Sequence, residues 1–287
     1  MKKIILIITV LFTVNIIAQD SKKNSTKDTI EVKKDKGLPL KAERKININT
    51  DEGTWMSLDI SPDGKTIVFD MLGDLYLLPI EGGNAKRITE GLAFDSNPKF
   101  SPDGEDLLFV SDRTGGPNVW IINLATKDST QVTKGDTYNI QAAEWTPDGN
   151  YIISSRGNRN VKLNMHHRDG GKGTILIKTP ANLKTVEPAF GKDERYIWYS
   201  KRTGSWQYNA KFPQYQLAKY DRETGKSKTM TSRYGSAFSP TLSSNGKWLV
   251  YGTRWNDKTG LIARELKTGS EKWLAYPIQK DDQESQA

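Results

Sequence analysis

Apolar and polar positions alternate in blocks along this chain, and the blocks recur. Five nearly continuous apolar runs stand out: Thr66-Ile67-Val68-Phe69, Leu107-Leu108-Phe109-Val110, Tyr151-Ile152-Ile153, Tyr196-Ile197-Trp198-Tyr199 and Trp248-Leu249-Val250-Tyr251. Runs this short and this apolar predict strands covered on both faces. A second strand-like run follows each: Leu75 to Ile80, Asn118 to Leu124, Val161 to Arg168, Tyr215 to Asp221 and Leu261 to Leu266. Behind each of these a turn ends at Gly83, Lys127, Gly171, Gly225 or Gly269, at intervals of 44, 44, 54 and 44 residues. Polar outer strands such as Lys86 to Thr89 and Thr130 to Thr133 come next.

The apolar runs are announced by a turn. Ser61-Pro62-Asp63-Gly64 recurs as Ser101-Pro102-Asp103-Gly104 and Thr146-Pro147-Asp148-Gly149, with degenerate copies at Gly191-Lys192-Asp193-Glu194 and Ser243-Ser244-Asn245-Gly246. Proline presets φ at the second turn position, aspartate bonds nearby backbone, and glycine accepts positive φ. Pro98, Pro188 and Pro240 precede three of these turns, and proline inside a strand marks a sheet edge. The unit reads strand a, tight turn, strand b, loop, strand c, tight turn, strand d. No helical periodicity competes with it. The expectation is an all-β propeller of four-stranded antiparallel blades, five of them recognisable.

The flanks read differently. A basic Met1-Lys2-Lys3 and an apolar run from Ile4 to Ala18 form a signal peptide over 1–18, shorter than the roughly 20 residues of a bilayer span. Residues 19–43 are charged and poor in apolar groups, so a disordered linker is expected. The propeller is placed at 44–278 and a polar tail at 279–287. Export to the periplasm or outside the cell follows, with no membrane span. Arg44 to Asn49 reads as a d-type strand, yet the fifth blade has its own in Lys272 to Tyr276. Either the chain continues and this is an incomplete ring, or five blades close with a strand to spare.

Composition narrows the chemistry. Of the net charge of +8, six units fall before Ile46, which leaves too little for a phosphate-tracking surface, so no nucleic acid is expected. There is no cysteine, which excludes disulfides, thiolate metal sites and a thiol nucleophile. The two histidines, His166 and His167, are adjacent and so point to opposite faces of a strand. No G-x-S-x-G elbow and no D-x-D-x-D-G calcium loop occurs. Asp63, Asp103, Asp148 and Asp193 are explained by their turns. No catalysis, metal or cofactor is expected of this chain.

The stretch Asp95-Ser96-Asn97-Pro98-Lys99-Phe100-Ser101-Pro102-Asp103-Gly104, with Ser111-Asp112-Arg113-Thr114-Gly115-Gly116-Pro117-Asn118-Val119-Trp120, resembles the TolB-like (Pro-Asp) propeller repeat. The opening blade, Thr54 to Ile60 and Gly73 to Pro79, is similar to secreted bacterial proteins in which a propeller precedes a metal-dependent amidohydrolase domain. That family implies an H-x-H metal centre, which this chain lacks.

Partner binding then rests with the loops. Four b strands end in arginine, Arg113, Arg156, Arg202 and Arg254, at the start of the b–c loop. Trp206 and Tyr208, in the insertion that stretches one interval, and Trp255 flank them. One reading makes the four an arc that receives carboxylates from a protein or peptide; the other makes each a clamp on its own loop, through residues such as Asp112 or Asp257. Three functions follow: a non-catalytic protein- or peptide-binding scaffold, the propeller part of an amidohydrolase whose catalytic domain is absent, or a small-molecule or glycan receptor.

Overall fold

The computed structural model describes Arg44 and residues 46–204, 214–255 and 258–280, the last five in backbone only. The expected signal peptide, the linker, most of the aromatic insertion and most of the polar tail lie outside the described residues.

Five four-stranded antiparallel sheets follow one another along the chain. Blade 1 comprises β1 (Leu58–Ile60), β2 (Thr66–Met71), β3 (Asp74–Pro79) and β4 (Lys86–Arg87). Blade 2 comprises β5 (Asp95–Phe100), β6 (Asp106–Ser111), β7 (Asn118–Asn123) and β8 (Ser129–Gln131). Blade 3 comprises β9 (Asn139–Trp145), β10 (Tyr151–Gly157), β11 (Lys162–His167) and β12 (Gly170–Ile175). Blade 4 comprises β13 (Thr185–Phe190), β14 (Tyr196–Arg202), β15 (Tyr215–Asp221) and β16 (Ser227–Thr229). Blade 5 comprises β17 (Phe238–Leu242), β18 (Trp248–Trp255), β19 (Lys258–Glu265) and β20 (Glu271–Lys280). The fold is a five-bladed β-propeller.

The sequence pattern works as expected at the turns. In the first, Ser61 Oγ donates to Asp63 Oδ1 at 2.6 Å, the Lys65 amide donates to the same oxygen, and Gly64 takes φ 73°. The c–d turns share a left-handed residue, and at Lys127 (φ 67°) it is not glycine. A side chain there costs energy that glycine avoids, so Lys127→Gly is expected to raise stability by about 0.5 kcal/mol in urea unfolding. No gain, or a loss, would mean the lysine side chain makes compensating contacts.

The strand expected over Arg44–Asn49 does not form. Arg44 and residues 46–49 are exposed and belong to no sheet. The outer position of blade 5 is filled by β20.

Stacking of neighbouring blades makes the core. Val68, Leu75, Phe100, Leu107 and Phe109 pack between blades 1 and 2, and Leu108, Val119, Ile140 and Trp145 between blades 2 and 3. Ile153, Leu163, Ile197 and Tyr199 join blades 3 and 4; Trp198, Leu217, Leu249 and Tyr251 join blades 4 and 5. A polar tie repeats beside the apolar one. Asn97, Glu187 and Ser239, each just before an a-strand proline, take φ of 51–55° and bulge the strand. Their amides donate to the preceding blade: Asn97 to Asp70 Oδ2, Glu187 to Ser155 Oγ, and Ser239 to Glu187 Oε2.

Candidate functional site

The b–c loops and the loops entering each a strand (the d–a loops) share one face of the propeller, opposite the tight turns. Large apolar side chains gather there. Trp55 (81% exposed), Phe94 (61%) and Tyr234 (87%) stand in the d–a loops of blades 1, 2 and 5, and Tyr138 in that of blade 3. Leu72 and Trp255 add to them from the b–c side. On the turn face Ile60 and Ile80 are exposed to a smaller degree, and both are aliphatic. Local structure holds these rings up. The Phe94 amide donates to Asp112 Oδ1 at 2.8 Å, and the Phe94 ring lies against Gly73, which at φ 85° is a backbone position suited to glycine.

The arginines have different fates. Arg113 Nη2 donates to both carboxylate oxygens of buried Asp95, at 2.9 and 2.8 Å, Nε donates to Ser111 Oγ, and the guanidinium covers Phe109 and Trp120. It is a clamp, with Asp95 rather than Asp112 as its partner. Arg156 Nη2 donates to the Lys134 carbonyl at 2.7 Å and its guanidinium stacks on Tyr138 at 4.1 Å, tying β10 to the loop before blade 3. Arg254 stacks on Phe238. Arg202 is 5% exposed, and its Nε and Nη2 find no acceptor among the described residues. Burial, helped by this guanidinium, holds the nearby Lys184 ammonium below the ordinary lysine range. Trp206, Tyr208 and Asp257 lie outside the described residues; Trp255 is at the exposed end of β18.

The aromatic d–a residues were not singled out by the sequence reading, although a signal existed. Trp55, Phe94, Tyr138 and Tyr234 stand six to nine residues before the Ser or Thr that opens each a–b turn. Drifting spacing hides the recurrence.

The turn side of the axis has its own chemistry. A cleft of about 340 Å³ is lined from all five blades, by Pro62, Pro102, Pro147, Lys192 and Ser244 among others. Asp59 and Glu144 reach its wall, with Lys99 between them at 3.6 and 3.7 Å. Burial pushes the Glu144 carboxyl up to about 7, against the pull of Lys99. The Lys99 ammonium is opposed by burial, but the two carboxylates outweigh it and hold its pKa above the usual value.

His166 and His167 do face opposite sides of β11. His167 is exposed and lies edge-on to Tyr151. His166 is buried rather than half-buried, and neither ring nitrogen has a partner among the described residues. Its imidazole rests on Gly173, where a Cβ would strike the ring. Burial, then the Arg156 charge, pulls its pKa down to about 4. Among the described residues no group of three or more His, Asp or Glu is placed to hold a metal.

With this geometry established, comparison decides the family. Residues 33–208 match the TolB beta propeller domain. The chain belongs to that family. Among relatives of this TolB-type propeller, the Tol-Pal system protein TolB of Wolinella succinogenes is 28% identical over 167 residues, covering 55% of this chain and 39% of that protein. Tricorn protease homolog 1 of Streptomyces coelicolor is 28% identical over 123 residues, 42% of this chain and 12% of that protein. The chain thus spans well under half the length of either. The solved structure of a putative TolB from Agrobacterium tumefaciens superimposes with a TM-score of 0.63 at 19% identity, over 76% of this chain and 79% of that one. At that identity the likeness speaks to the fold alone.

Proposed function

We propose that this TolB-type propeller is an exported, non-catalytic scaffold that takes up a protein or peptide on its loop face. The observation that carries the reading is the segregation of exposed aromatic side chains, with Trp55, Phe94, Tyr138, Tyr234 and Trp255 on one face and none on the turn face among the described residues. Exposed aromatics supply large contact area at low entropic cost and dominate binding energy at interfaces. The arginine part of the earlier reading narrows: Arg156 serves by holding the Tyr138 ring. The absence of catalysis in this reading is supported by two histidines that face opposite ways, one of them buried with no partner among the described residues.

A second reading has one observation in its favour. The chain matches only part of longer relatives, one of them named as a protease homolog. In that reading the loop face receives a catalytic domain, and the resemblance of the opening blade makes an amidohydrolase the proposed occupant.

Photo-crosslinking tests the surface. A benzophenone amino acid placed at Trp55 or Tyr234 is expected to trap a defined partner in the exporting cell, whereas one at Lys127 or Lys267 on the turn face traps none. Equal labelling from both faces, or labelling from the turn face alone, removes the loop face as the site.

A further inference from the structure

Blade 1 and blade 5 each carry a sheet face that no neighbouring blade covers among the described residues. Strand register sorts the side chains. Ile67 pairs with Leu78 and Ile60; Phe69 pairs with Tyr76 and Leu58, so these six apolar side chains share one face of blade 1. Val68, Leu75 and Leu77 occupy the other face and pack on blade 2. In blade 2 the residues equivalent to Ile60, Ile67 and Phe69 are Phe100, Leu107 and Phe109, all buried against blade 1. In blade 1, Leu58 is 57% and Ile60 49% exposed. Blade 5 shows the complementary lack. Val250 and Leu261 lie on the face turned away from blade 4, and Leu261 is 40% exposed where its counterpart Val119 is fully buried. Among the described residues no core cluster spans blades 5 and 1, and none of the close strand packing that joins the other neighbours joins these two.

The interior interfaces say what fits. At each one, a b-strand residue and the last a-strand residue of the next blade enter the same core: Val68 with Phe100, Leu108 with Trp145, Ile153 with Phe190, and Trp198 with Leu242. By position in the repeat, Val250 and Ile60 are the two halves of one more such pair, and the chain leaves them apart. Both halves being on one molecule, the surface that fits blade 1 of one copy is blade 5 of another.

We propose that this chain associates head to tail through a blade-on-blade contact, the free face of blade 5 in one copy stacking on the free face of blade 1 in the next. Apolar sheet faces of this extent are otherwise kept from water. The contact is heterologous, because different patches meet, and so permits chains longer than a dimer. It continues across copies the interface that already joins blades 1 to 5.

The protein has no cysteine, so single cysteines report one contact cleanly. Ile60→Cys and Val250→Cys proteins are purified separately, mixed in equal amounts and oxidised. The mixed disulfide dimer is expected to exceed the statistical share set by the two homodimers. In sedimentation velocity the wild-type mass is expected to rise with concentration. Ile60→Lys is expected to weaken that association by roughly tenfold or more while leaving the circular dichroism of dilute protein unchanged. A wild-type protein that stays monomeric with no mixed disulfide overturns the proposal. Dominance of either homodimer overturns it in favour of a two-fold contact. An intrachain disulfide in the doubly substituted protein at high dilution overturns it in favour of a ring that closes on itself.

Discussion

Replacing Glu187 by alanine is expected to lower the unfolding free energy by about 2 kcal/mol. Its carboxylate accepts from the Ser239 amide at 2.7 Å, from Ser239 Oγ at 2.9 Å, and from the hydroxyl of fully buried Ser200. Three donors on two blades therefore converge on one anion, at the place where β17 bulges through a left-handed Ser239 ahead of Pro240. Alanine removes the acceptor: the Ser239 amide keeps Ser200 Oγ at 3.0 Å and the exposed Ser239 hydroxyl turns to water, but the buried Ser200 hydroxyl loses its carboxylate, and that is the costly loss. Glutamine keeps the shape and one acceptor oxygen, so Glu187→Gln is expected to lose about half as much. Ser239→Ala combined with Glu187→Ala should cost less than the sum of the single losses, because both remove the same bond. Urea unfolding of the four proteins measures all of this. A loss under about 0.5 kcal/mol for Glu187→Ala, the range of an ordinary surface change, would mean the bulge holds without the tie.

That tie shows where sequence reasoning stops. The a-strand prolines marked sheet edges, and β5, β13 and β17 are indeed edge strands. The left-handed residue before each proline and its acceptor were not legible. The acceptors are Asp70, Ser155 and Glu187, of different types, and they lie 27, 32 and 52 residues from the amides they hold. No local pattern encodes such a bond. The turns were legible because Ser61, Asp63 and Gly64 act within a few residues of one another. The degenerate Asp193 turn was found for the same reason, as its carboxylate takes the Arg195 amide two residues on.

The candidate site was legible in part. Arginines at the ends of four b strands were visible, but their roles depend on what the neighbouring loop brings. Asp95, eighteen residues before Arg113, claims that side chain, and the Lys134 carbonyl claims Arg156. A backbone carbonyl has no signature in sequence. The exposed d–a aromatics were readable in principle, yet an aromatic ahead of an apolar strand looks like core until the loop is seen to turn it outward. Trp55 does so with φ 61° and Tyr138 through its stacking on Arg156.

The second large effect concerns pH, and it is expected to be hidden in the wild-type protein. His166 has a folded pKa of about 4 against an ordinary 6.5. The unfolded chain therefore binds its proton first, so stability is fully present above about pH 6.5 and falls as pH drops toward 4. Between pH 7.5 and 5 that loss is about 2 kcal/mol, at about 1.4 kcal/mol per pKa unit. Glu144 runs the other way. Its folded pKa is raised to about 7, so the folded state takes the proton first and gains stability as pH falls through the same window. Its carboxylate shares the axial cleft with Asp59 and Lys99, so what titrates is the group of three. The two effects oppose one another with comparable size, and the wild-type midpoint is expected to stay nearly level from pH 7.5 to 5. Single substitutions expose them. His166→Leu should become more stable on acidification over that range, and Glu144→Gln less stable, each by about 2 kcal/mol relative to wild type. Urea unfolding at the two pH values reads both slopes. Parallel behaviour of all three proteins would mean that neither group titrates in this window. If His166→Leu fails to fold, Glu144→Gln still tests the histidine, since its downward slope has no other source among the groups described.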